Sequence, residues 1–134
     1  MIIYQNQFIS QLRLISLDNK YTKWYCELIA IAKVRKTPNT YIEEHHIIPD
    51  SFFADRSRTG PSGFLEGNPN SQENLVQLTA REHFICHILL IKMFTGKLKR
   101  NMSYAIHRLR YSKNNTYVAN SKIYEFIKRT QSES

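Results

Sequence analysis

Apolar positions recur along the chain with two different periods. Near the start, Phe8, Leu12 and Ile15 fall three to four residues apart, which places them on one face of a helix within residues 1 to about 16. Tyr21, Trp24, Tyr25, Leu28, Ile29, Ile31 and Ala32 keep that spacing and predict a helix over 19 to 36 with its aromatic stripe in the core. Asp18 stands where an N-cap belongs, and Lys33, Arg35 and Lys36 close the segment, an order that suits the helix dipole. Thr37-Pro38-Asn39-Thr40 ends it. The period then changes. Tyr41 to Ile48 reads as a short extended segment broken by Pro49. Residues 50 to 73 hold three of the four glycines and two of the four prolines. A loop of that length in a small domain is functional or disordered. Leu75, Val76 and Leu78 predict a second short strand, begun by Asn74. Thr79-Ala80-Arg81-Glu82 forms a capping box that opens a helix to about Phe94, with Gly96 as its C-terminal glycine.

Past that helix, Met102, Ala105, Ile106 and Leu109 predict an amphipathic helix over 98 to 111. Lys113-Asn114-Asn115 reads as a turn, and 118 to 129 as a last helix with Tyr124 and Ile127 inward. The pattern is α+β and mostly helical, in one domain over 1–134. N-terminal helices occupy 1–40, a strand–loop–strand–helix core 41–94 and basic helices 95–130. A chain of 134 residues, 42% of them hydrophobic, can bury a core of its own.

Charge narrows the partner. The net charge is +8, and no acid occurs between Glu82 and Glu125, where Lys92, Lys97, Lys99, Arg100, Arg108, Arg110, Lys113 and Lys122 lie. Such an excess favours a polyanion, nucleic acid before an acidic membrane surface; a solvated, solubilising face is the plainer reading. Cys26 and Cys86 form no Cys-x-x-Cys, which excludes a cysteine zinc knuckle and suits two thiols in a reducing cytosol. The first residues lack a basic region followed by an apolar run, and no segment approaches a membrane span. The expectation is a cytoplasmic protein without a membrane partner.

Four of the five histidines bound the core stretch. His83 and His87 stand four apart on the capped helix, on one face with Cβ atoms about 5–6 Å apart, where two imidazoles can chelate one divalent ion. Read alone, the pair is equally a partly buried helix face. His45 and His46 are neighbours in an extended segment and point to opposite sides, so they divide between a metal and a substrate, or else pack on the surface. Neutral histidine accepts a proton from water near neutral pH. The Asn74 amide can hold the histidine segment in place, or serve an ordinary turn. Arg81 is placed to meet a phosphate, or simply solvent. His107, among the C-terminal basic residues, has no expected catalytic role.

Trp24-Tyr25, Glu44-His45-His46-Ile47-Ile48-Pro49, Asn74-Leu75-Val76 and Leu78-Thr79-Ala80-Arg81-Glu82-His83, followed by His87, resemble the HNH endonucleases, in particular the small homing-type members of bacteriophages. The resemblance covers about residues 20 to 111 and is strongest at 44–49 and 74–90. It implies a ββα-metal fold with a long hairpin loop and a metal-dependent DNA endonuclease. His45, His83 and His87 would be metal ligands, His46 the general base and Asn74 a supporting member of the catalytic set. Double-stranded DNA would lie along Arg81, Lys97, Lys99, Arg100, Arg108 and Arg110, bound by a monomer or homodimer. Many members carry Asp where His45 stands. A histidine there softens the ligand set towards Zn2+, with Mn2+ or Ni2+ also suited, although Mg2+ is usual for homing members. The loop between the strands lacks the Gly-Gly of close relatives. Two other functions compete. A DNA-binding module with a structural zinc would need a fourth protein ligand, and three are in view. A basic interaction protein with a degenerate site would not need the full histidine and asparagine set.

Overall fold

The computed structural model describes residues 6–54, 63–100 and 102. Its elements run α1 (Gln7–Ile15), α2 (Lys20–Val34), β1 (Ile42–His46), β2 (Leu75–Thr79) and α3 (Ala80–Met93), with single 3-10 turns at Asp50–Phe52 and Gln72–Asn74. A further helical stretch covers 96–100 and 102. The architecture is α+β: a two-stranded antiparallel sheet followed by α3, with α2 against both. Among the described residues, no helix is long and apolar enough to cross a membrane.

Both N-terminal helices begin on asparagine caps that also make distant bonds. Asn6 Oδ1 accepts from the amides of Phe8 and Ile9, while its Nδ2 donates to Glu73 O at 2.9 Å. Asn19 Oδ1 accepts from Thr22 N at 3.0 Å, and its Nδ2 donates to Lys92 O at 3.1 Å. The cap of α2 is therefore Asn19, not the expected Asp18. The helix starts on Lys20 and has no acid in its first turn. Asparagine wins because its amide caps the helix and reaches α3 at once, which a carboxylate cannot do. The aromatic stripe of α2 is only partly core. Tyr25 and Ile29 are fully buried, whereas Trp24 is 48% and Ile31 63% exposed, since one neighbouring layer covers only one face of the helix.

β1 and β2 pair with Ile42 opposite Thr79, Glu43 opposite Leu78, His45 opposite Val76 and His46 opposite Leu75. The pleat puts Glu43 and His45 on the face covered by α3, with Val76 and Leu78. Thr79 caps α3 as expected: its hydroxyl accepts from Glu82 N, and Glu82 Oε1 accepts from Thr79 N at 2.8 Å. After α3, Gly96 takes the left-handed conformation, φ 63°, that lets the chain turn into the next helical stretch.

The described parts of the loop between the strands, 47–54 and 63–74, carry apolar anchors. Phe52 and Phe53 are fully buried and Leu65 nearly so. Ala54 N donates to Leu65 O at 2.8 Å, and Leu65 N to Phe52 O at 2.8 Å. A Cβ on Gly63 would collide with the Phe52 backbone, so glycine permits this crossing. A count of glycine and proline hides these anchors. The amphipathic helix expected over 98 to 111 is described only to Met102, which is buried. The turn at 113–115 and the helix at 118–129 lie outside the described residues.

Candidate metal centre

Three imidazoles meet between β1 and α3. His45 comes from the inward face of β1 and is 2% exposed. His83 and His87 come from successive turns of α3. Ring centroids lie 5.0 Å apart for His45 and His83, 5.2 Å for His45 and His87, and 4.9 Å for His83 and His87. Each ring offers one nitrogen within 4.8 Å of the other two, so together they could hold a metal ion.

The chemistry of the donors suits that role. Burial, reinforced by His87, His83 and His46, holds His45 well below the ordinary histidine range. Burial also lowers His83, against the opposing pull of Glu43. Neutral imidazoles keep the lone pairs a cation needs. His83 Nδ1 lies 2.9 Å from Glu43 Oε1. A carboxylate only accepts, so Nδ1 carries the proton and Nε2 the lone pair. His83 Nε2 and His87 Nε2 are 3.2 Å apart, close to the ~3.3 Å separating two nitrogens bound tetrahedrally at zinc–nitrogen distances. Without an ion, His87 would donate across that gap; with one, both lone pairs converge on it.

His46 occupies the other side of β1. Its Nε2 bonds Asn70 Oδ1 at 2.8 Å. An amide oxygen only accepts, so this contact leaves the lone pair on Nδ1. Asn74, fully buried, sits in the 3-10 turn just before β2. Its Oδ1 accepts from Ile48 N at 2.8 Å, and its Nδ2 donates to Ile48 O at 3.1 Å and Pro69 O at 2.8 Å. The backbone adds Ile47 N to Asn74 O at 2.8 Å. These bonds tie the exit of β1 to the entrance of β2. Asn74 fixes the hairpin backbone through them and so acts on the histidines indirectly.

The other expected residues stand apart. Arg81, Lys97 and Arg100 are exposed and Lys99 is half-buried; Arg108 and Arg110 lie outside the described residues. Cys26 and Cys86 are free and buried, and burial raises both thiols, which keeps them protonated. Sequence reasoning missed Glu43, Tyr25 and Asn70. Glu43 had a usable signal, two residues before His45 and so on the same strand face. Tyr25 counts in the sequence as core and as part of the resemblance, with no role at the site, yet its hydroxyl lies 2.8 Å from His45 Nε2. Nothing local marks Asn70.

Over 113 residues the chain is 34% identical to "Probable mobile endonuclease E" of Enterobacteria phage T4, an overlap covering 84% of this chain and 70% of that protein. The chain belongs to the phage mobile endonuclease family. Two more T4 members are similar to it: "Probable mobile endonuclease D", 46% identical over 77 residues, and "Probable mobile endonuclease B", 35% identical over 94. These overlaps cover 54% and 70% of this chain but only 24% and 29% of the two relatives. The overlap with endonuclease D has the higher identity and the smaller reach. No family model and no solved structure significantly matches the chain.

Proposed function

We propose that this family member is a metal-dependent DNA endonuclease of the HNH type, with a ββα-metal centre built from β1, β2 and α3. One observation carries the reading: three imidazoles come together on one side of β1, close enough to hold one ion, and a fourth, His46, lies on the other side, bonded through Nε2 to Asn70. His45, His83 and His87 would hold a divalent ion. A bound cation supplies Lewis-acid stabilisation of the charge that builds on phosphoryl oxygens. His46 Nδ1 takes the proton from the attacking water. Glu43 holds the His83 ring, and carboxylate partners of this kind fix the tautomer and raise the basicity of a ligand. Asn70 holds His46 against rotation. Asn74 keeps His45 and His46 on their two sides by locking the end of the strand. Arg81, Lys97, Lys99, Arg100, Arg108 and Arg110 contact phosphates of double-stranded DNA, which positions the duplex without reading its sequence. The set of three histidines favours Zn2+, Mn2+ or Ni2+ over Mg2+. It also leaves a coordination position open, which supports catalysis over a purely structural zinc. The protein would act in the cytoplasm, as a monomer or homodimer.

Supercoiled plasmid incubated with the purified chain tests the reading. Added metal should convert it to nicked or linear DNA, EDTA should stop the conversion, and His46→Ala should give none. Plasmid that stays supercoiled with all of Mg2+, Mn2+, Ni2+ and Zn2+ would overturn it.

A further inference from the structure

Tyr25 lies on α2, outside the hairpin and helix that carry the three histidines, and is fully buried. Its hydroxyl meets two groups: the Ile47 carbonyl oxygen at 2.6 Å and His45 Nε2 at 2.8 Å. A phenol has one proton to give. The Ile47 oxygen has none and can only accept, and two oxygens at that distance need a proton between them. The phenol proton therefore belongs to Ile47. What remains at Tyr25 is an oxygen lone pair, and only a protonated Nε2 can fill it.

We propose that Tyr25 is a positioning residue that fixes His45 in its Nε2–H tautomer and so makes Nδ1 the atom it offers to a metal. This rests on the metal site proposed above. His83 is set the opposite way: Glu43 accepts from its Nδ1–H and leaves the Nε2 lone pair for a metal. The two fixed ligands thus present different ring nitrogens, each selected by a partner on the side away from the ion. The Tyr25 and His45 rings meet edge-on, 6.0 Å between centroids and 73° between planes, an arrangement that also limits rotation of the imidazole. Ile47 is the second residue after His45, so the phenol ties the ligand ring to the backbone leaving β1. A purely apolar core would not need this hydroxyl.

Long-range nitrogen–proton correlation spectra of the metal-free wild-type chain read the tautomer directly and need no substitution. His45 should appear protonated at Nε2 and His83 at Nδ1. In Tyr25→Phe, His45 should become a mixture of tautomers while the His83 signals stay in place, and zinc affinity by calorimetry should fall about tenfold, in the range typical of lost outer partners of metal ligands. A wild-type His45 protonated at Nδ1 overturns the proposal. So does a folded Tyr25→Phe chain with unchanged tautomer and unchanged zinc affinity. A wild-type chain with the expected spectrum that binds no zinc overturns the metal site instead and leaves the tautomer assignment standing, so the two failures are separable.

Discussion

His45 and His46 are neighbours in sequence with opposite surroundings. The strand turns one inward to α3, where burial keeps it neutral, and the other outward to Asn70. Their roles should separate on substitution. His46→Ala should lower cleavage by about 10²–10⁴-fold, the range of general acid–base contributions, with zinc binding by calorimetry and DNA binding by anisotropy unchanged. Loss of zinc binding in that variant would exchange the roles of the two histidines. At the same scale, Glu43 and Tyr25 each spend a hydrogen bond on one ring nitrogen, so what the site offers a cation depends on residues that need not touch it.

The hairpin and the start of α3 are held by different kinds of bond. Asn74 fills the donors and acceptor of its amide on the backbone of Ile48 and Pro69. Asn74→Ala would leave those buried groups bare, with an expected loss of about 3 kcal/mol, since each unmet buried group costs ~1–3 kcal/mol. Urea unfolding would measure it, and a loss below 1 kcal/mol would mean that water replaces the amide. At the start of α3, Arg35 grips Glu82 with two bonds, 2.6 and 2.7 Å. That partner, with Thr79, holds the Glu82 carboxyl at about 2 against an ordinary 4.5. A lowered carboxyl contributes fully above pH 4.5, and the contribution is lost as pH falls from there towards 2. The pair is partly exposed, so screening limits it to about 1 kcal/mol. Arg35→Gln should therefore be less stable than wild type at pH 7, and the gap should narrow by pH 3. A gap of constant size across that range would assign the effect to packing.

For the molecule as a whole, the proposed ion would join residues that lie before and after the loop between the strands. His45 precedes the loop and His83 and His87 follow it, so an ion binding only the native state should raise stability by about 2.7 kcal/mol at a hundredfold excess over its dissociation constant. Thermal melts should rise with zinc, nickel or manganese and less with magnesium, and the rise should shrink in His45→Ala, His83→Ala and His87→Ala. If His87→Ala melts like wild type at every metal concentration, His87 is not a ligand. Replacing Lys99, Arg100, Arg108 and Arg110 should weaken binding to all DNA sequences equally and flatten the salt slope by ~0.9 per lost phosphate contact. A salt titration with an unchanged slope would make the basic run a solubility face.

Short-range rules of the chain settled much of this. Helical spacing located α1, α2 and α3. The change to an extended pattern located β1, the capping box fixed the first residue of α3, and the interval between His83 and His87 put both on one face. Each depends on residues within a turn or a pleat of one another, where backbone geometry alone dictates who meets whom. Other features needed the folded chain. Asn19 displaced Asp18 as a cap because Lys92, 73 positions away, offered its carbonyl. Phe52 and Phe53 became anchors at the start of the loop because other elements closed over them. The pairings of Tyr25 with His45, Glu43 with His83, His46 with Asn70 and Arg35 with Glu82 join residues 20 to 47 positions apart. Local propensity cannot encode such bonds: a side chain's partner is whichever unmet donor or acceptor the packing of distant elements brings within 3 Å, and only the tertiary structure decides which that is.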